Sequence, residues 1–260
     1  MTYDIRFDML SDEDGERVYQ QCPELEAGPD VYCPTCRKTG RYTWRGESYP
    51  CDCQMQLQLA KHYTAAGIGA DYFRLNWTDY VADVPKNIHL YVANYHNAIS
   101  EGTGMLFTGT NGTGKTMLAT LLIKELIKKG FTAFAASFSD TIDRRTESFG
   151  DDASSRFFDT KFLHSQALLI DDLGQEMHTS SDLARSTLDK VIRSRVKNNR
   201  PTLLTTNLGH RELSQRYGTA IASLLQHKFI PIELVDVDFR PQSREAMMSR
   251  LTSGDVRPIV

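Results

Sequence analysis

Eight residues constrain this chain more than any others. Gly109-Thr110-Asn111-Gly112-Thr113-Gly114-Lys115-Thr116 is a complete G-x-x-x-x-G-K-[ST] loop. Met105-Leu106-Phe107 runs into it and reads as a buried strand. Met117-Leu118-Ala119-Thr120-Leu121-Leu122-Ile123 runs out of it and reads as a helix. Glycines let the backbone wrap so that successive N–H groups face one point, and a helix N-terminus adds partial positive charge there. Lys115 is then in reach of β- and γ-phosphates, and the Thr116 hydroxyl suits Mg²⁺. A glycine-rich turn could match by accident, but strand, loop and helix in this order argue for a nucleoside triphosphate site.

The rest of the chain alternates accordingly. Strands are expected near 105–108, 131–137, 167–172, 202–207 and 232–235, with helices at 86–100, from the loop to Lys129, and over 181–199. A mixed helical stretch is expected from 138 to about 163. Such alternation predicts an α/β fold with a mainly parallel sheet. Ala167-Leu168-Leu169-Ile170-Asp171-Asp172 is a buried strand ending in two carboxylates. Asp171 is placed to hold Mg²⁺ and Asp172 to take a proton from an attacking water, with Glu176 a second candidate for that role. Asn207, after Thr205-Thr206, is placed to hold the water or contact the γ-phosphate, although Asn is also an ordinary turn residue.

The N-terminal part differs in kind. Cys33-Pro-Thr-Cys36 and Cys51-Asp-Cys53 lie some 15 residues apart. Two close cysteine pairs can complete a tetrahedral Zn²⁺ site with a structural role; four unrelated thiols are the alternative. Between the pairs, Gly40, Tyr42, Trp44, Gly46 and Tyr49 suggest a hairpin. Cys22 receives no role, and His62 is expected on the following helix, 54–66, which ends at Gly67. Aromatic residues in 68–84 (Tyr72, Phe73, Trp77, Tyr80) suggest a strap onto the main domain. The expected division is 1–66, an acidic lead-in with the cysteine module; 67–100, linker and strap; and 101–260, the nucleotide domain.

Net charge is −3, but residues 1–30 carry nine acids and two bases, and residues 190–260 twelve bases and six acids. Either run reads as a solvated face, or as a docking surface and a nucleic-acid footprint respectively. No apolar run approaches the roughly 20 residues a membrane helix needs. No membrane contact and a cytoplasmic location are expected.

Thr108-Gly-Thr-Asn-Gly-Thr-Gly-Lys-Thr116, Leu168-Leu-Ile-Asp-Asp-Leu-Gly-Gln-Glu176 and Thr205-Thr-Asn-Leu208, behind the cysteine cluster, resemble the Walker A, Walker B and sensor-1 motifs of DnaC/DnaI-type helicase loaders. These are AAA+ ATPases of the initiator clade, and the likeness spans roughly 31–245. It implies a P-loop NTPase AAA+ domain behind a zinc-binding N-terminal domain. It implies ATP, Mg²⁺ and Zn²⁺, a DnaB-type hexameric replicative helicase met through the N-terminal domain, single-stranded DNA, and self-assembly on the helicase. Arg240 matches the sensor-2 arginine, and the roughly 20 residues after it leave no room for a full helical lid. Phe149 matches an aromatic that stacks on a base, a core aromatic being the other reading, with Arg144, Arg145 and Arg156 on phosphates. The family's Ser-Arg-Leu finger run is Ser223-Leu224-Leu225 here, with Arg216 as a substitute, which implies slow or partner-stimulated hydrolysis. An IstB-type transposition helper and a non-hydrolysing ATP-binding adaptor are the alternatives.

Overall fold

The computed structural model describes residues 11–25, 41–176, 180–234, 238–253 and 257–260. Among these, a five-stranded sheet forms the centre. It consists of β3 (Gly104–Gly109), β4 (Ala133–Ser137), β5 (Ala167–Leu173), β6 (Thr202–Thr206) and β7 (Phe229–Leu234). The spatial order is β4-β5-β6-β3-β7 and every pairing is parallel. A strand buried on both faces needs apolar residues at successive positions. Met105, Phe107, Leu169 and Leu203 face one side. Leu106, Leu168, Ile170 and Leu204 face the other.

The first side is covered by α5 (Lys115–Lys128), whose Leu118, Leu122, Ile123 and Leu126 share a core with α1 (Asp12–Gln21) and α2 (Asp52–Ala65). The second side is covered by α6 (Phe138–Glu147), α7 (Asp152–Phe158), α8 (Ser181–Lys197), α9 (His210–Tyr217) and α10 (Thr219–Lys228). Leu188, Val191 and Ile192 form the apolar stripe of α8 against the sheet. Chain order β3 to β4 jumps across β6 and β5, so a crevice opens beside the carboxyl end of β3. Open parallel sheets bind ligands in such crevices.

Three expectations change. The helix expected over 86–100 is two, Lys86–Ala93 (α3) and Tyr95–Glu101 (α4). The break falls at Asn94, which leaves helical geometry at φ −111° and ψ 30° while both its N–H and its side-chain amide donate to the Leu90 carbonyl, at 3.0 and 2.9 Å. The last strand starts at Phe229 rather than Ile232 and includes Pro231. Proline lacks an N–H, and it is accommodated because β7 is an edge strand. The 138–163 stretch resolves into α6, α7 and a π-turn at Asp159–Leu163.

The N-terminal hairpin is present as β1 (Arg41–Trp44) and β2 (Glu47–Pro50), turned by Arg45 and Gly46 at φ 51° and 83°. The strap is short 3₁₀ turns, Ala70–Tyr72 and Trp77–Asp79. Buried Lys124 on α5 pins it, donating to the carbonyls of Tyr72, Phe73 and Leu75 at 2.7, 3.0 and 2.6 Å.

Candidate nucleotide site

The loop joins β3 to α5 as the spacing predicts. Gly112 and Gly114 take φ of +86° and +82°, a region that costs any other residue strain. They also admit close neighbours. A Cβ on Gly112 would lie 2.1 Å from the Asp238 carboxylate, and one on Gly114 2.6 Å from the Tyr80 ring. Thr113 stitches the loop by donating to the Thr110 carbonyl at 3.0 Å. Lys115 is nearly buried, and its Nζ donates to the carbonyls of Gly109 (2.9 Å) and Thr110 (2.7 Å). Burial pushes its pKa down, Asp172 and Asp171 push it up, and Arg240 lowers it further. Those three charged groups therefore stand around the loop.

Asp171 and Asp172 end β5, which is not a regular strand there. Ile170 pairs with Leu204 but Leu173 pairs with Thr206, so two acids oppose the single residue Thr205. This is a β-bulge, and Asp172 sits in it at φ 56°. Asp171 Oδ1 accepts from Thr116 Oγ1 at 3.0 Å and, more closely, from Thr205 Oγ1. The Asp172 N–H donates to that same Thr205 hydroxyl at 2.9 Å. Burial raises the Asp171 pKa, and hydrogen bonds from Thr205 and Thr116 oppose it. Asp172 is exposed. Sequence reasoning missed Thr205, whose only signal was its place two residues before Asn207.

Asn207 reaches the loop: its Nδ2 donates to Asn111 Oδ1 at 2.7 Å. Among the described residues its own Oδ1 is buried without a hydrogen-bond partner, an acceptor beside Thr110 and Asn111. Arg240 opens α11 (Arg240–Ser253), its N–H donating to Asp238 Oδ1 at 3.0 Å. The preceding Phe239 N–H donates to the Gly112 carbonyl at 2.9 Å. Tyr80, with its hydroxyl 3.3 Å from the Thr113 carbonyl, meets the Phe239 ring edge-on. The loop is thus closed over by the strap and by the start of α11, neither foreseen as contacts.

Two predicted residues are paired with each other instead. The Glu176 side chain is 1% exposed and accepts from Arg216 Nε (2.8 Å), the Tyr217 hydroxyl (2.6 Å) and the Gly174 N–H (3.0 Å). A buried carboxylate with three donors is not available to a water at the phosphates, which leaves Asp172 as the exposed acid at the strand end. Arg216 spends its Nε on that carboxylate, while Leu225 is buried and Leu224 packs on the second core.

The donors fit ATP with Mg²⁺. Hard oxygen ligands, Thr116 Oγ1 and Asp171 Oδ1, lie 3.0 Å apart at the start of the helix that follows the glycine-rich loop. For Zn²⁺, Cys51 and Cys53 are buried at the start of α2 beside the hairpin, while Cys33 and Cys36 lie outside the described residues. Among the described residues no group of three or more metal-binding side chains occurs.

The proposed DNA contacts gather on α6 and α7. Phe149 is 68% exposed, so it is not a core aromatic, and the Arg145 guanidinium lies 4.3 Å from its ring centre. Arg144 bonds Glu147 at 2.8 Å and covers Phe157; Arg156 is exposed on α7.

A parallel sheet in this order, with a phosphate loop on one strand and paired acids on another, defines an ATP-binding P-loop domain of the AAA+ type. The family of IstB-like ATP binding proteins matches residues 86–237, more than half of the chain, and the chain belongs to it. It is 23% identical over 171 residues to YdaV of Escherichia coli K12, covering 64% of this chain and 67% of that protein. It is 25% identical over 132 residues to the replicative helicase loader DnaC of Escherichia coli K12, covering 50% of this chain and 52% of DnaC. The chain thus spans about half the length of that relative. A crystal structure of the DnaC helicase loader superposes with TM-score 0.57 at 27% identity, covering 64% of this chain and 99% of that one. DnaI superposes with TM-score 0.56 at 21% identity, covering 65% and 95%, a likeness of fold. No helix among the described residues is long and apolar enough to cross a membrane.

Proposed function

We propose that this chain is an ATP-dependent loader that engages a DnaB-type replicative helicase and helps place it on single-stranded DNA. One observation carries the reading: Lys115, Thr116, Asp171, Asp172 and Asn207, drawn from three segments, converge on one loop in a relative of DnaC. Lys115 and the loop amides hold the β- and γ-phosphates, and Thr116 and Asp171 hold magnesium. The metal, when bound, neutralises phosphate charge. Asn207 Oδ1, an acceptor with no partner among the described residues, orients the attacking water, and Asp172 takes its proton. Arg240 stands by the phosphates from the start of α11. Cys33, Cys36, Cys51 and Cys53 hold zinc and brace the helicase-binding front; Phe149, Arg144, Arg145 and Arg156 hold DNA. Self-assembly on the helicase belongs to the same reading.

Lys115→Ala is expected to abolish magnesium-dependent uptake of labelled ATP, and ATP is expected to change recovery of the helicase from host extract. Normal ATP uptake by the alanine variant ends the proposal. A second reading, an ATP-binding adaptor that does not hydrolyse, has support from Leu224 at the finger position and from the Glu176 hold on Arg216. Phosphate release with helicase and DNA present, lost in Lys115→Ala, excludes the adaptor.

A further inference from the structure

Adjacent residues on a regular strand point to opposite faces. Asp171 and Asp172 are adjacent, yet both charges act on Lys115 and on Tyr72, whose pKa is pushed up to about 12 by burial first and then by acids that include both. The bulge resolves the conflict, and it turns the Asp172 N–H onto a side chain of β6. Its acceptor is the Thr205 hydroxyl. That hydroxyl's one proton goes to Asp171 Oδ1, on the same oxygen that takes the Thr116 proton. Thr205 is fully buried, so no solvent competes for it.

We propose that Thr205 is the positioning residue of the two-acid end of β5. Its hydroxyl, in a single arrangement, orients the Asp171 carboxylate toward the metal and holds Asp172 in the left-handed turn that brings its carboxylate to the phosphate side. Among the described residues no other side chain bonds both acids. The hydroxyl carries the function. This deepens the ATP reading and rests on it.

Thr205→Val keeps the volume and removes the donor and acceptor. Partners that orient metal ligands are worth about 10- to 100-fold in metal affinity or activity when removed. The expected result is ATP binding in EDTA unchanged from wild type, a magnesium requirement for tight nucleotide binding raised by about 10-fold or more, and phosphate release lowered by a similar factor. Thr205→Ser, which keeps the hydroxyl, is expected to restore all three. Thr205→Ala takes the place of the valine variant should that one unfold. Wild-type magnesium dependence in the hydroxyl-less variant, or no rescue by serine, overturns the inference. Intact ATP binding in Lys115→Ala would overturn the ATP reading itself, a separate outcome.

Discussion

Lys124 is the residue whose burial has the clearest consequence in solution. Its ammonium lies inside the protein, on three carbonyls of the strap and 5.1 Å from the Tyr63 ring centre. Burial is the largest influence on it and brings its pKa down to about 7, helped by Lys128 and opposed by Glu125 and Asp79. An unfolded lysine titrates at about 10.4. Between those values the unfolded chain binds more protons than the folded one, so this group's contribution to stability rises with pH through that window. Below pH 7 both states are charged and the dependence vanishes. Urea unfolding of wild type against Lys124→Met is therefore expected to diverge from pH 7 to pH 9. The wild type should gain by up to roughly 1.4 kcal/mol per pH unit relative to the variant. Parallel curves would show that the ammonium stays protonated when buried.

At the level of elements, legibility tracked how local the cause was. The β3–loop–α5 unit was readable because glycine spacing, the lysine and the flanking apolar runs are consecutive in the chain. The break at Asn94 was not, since an amide that ends one helix is equally at home in another's surface. The start of β7 was hidden by Pro231, whose place depends on being at the sheet edge. The Thr205 bulge and the Glu176–Arg216 pair are tertiary facts: both require knowing which strand or helix lies alongside. The α6–α7 surface falls between these cases. Its arginines and Phe149 could be named, but only the fold exposes the aromatic. Base stacking on such a ring is worth about 1–3 kcal/mol. Phe149→Ala is expected to weaken binding of a fluorescent single-stranded oligonucleotide by a factor in that range, roughly 5- to 150-fold, with ATP binding unaltered. An unchanged anisotropy titration would remove this surface from the DNA contact.

Across the whole molecule, the last described residues, 257–260, dock on the strap. Arg257 makes two bonds to Asp79, at 2.6 and 2.9 Å, which raise the Arg257 pKa. The Val260 N–H donates to the Phe73 carbonyl at 3.1 Å, and the Tyr63 hydroxyl on α2 donates to the Val260 carbonyl at 2.9 Å. Ile259 is 3% exposed in the core that also holds Val18 of α1 and Leu126 of α5. The same strap reaches the phosphate loop through Tyr80. The tail is therefore a staple across α2, strap and sheet, and the core it closes is continuous through residue 66. Ile259→Ala should cost about 2–5 kcal/mol, and each kcal/mol shifts Tm by roughly 2–4 °C for a chain of this size. In a Trp44→Phe background Trp77, on the strap with its ring 5.3 Å from His89, reports the strap, and far-UV dichroism reports the helices and sheet. If α1, α2, strap and sheet unfold as one unit, both signals should fall together in the wild type and shift down together in the variant. A shift confined to Trp77 fluorescence would make the strap and tail a separately melting layer on an independent nucleotide domain.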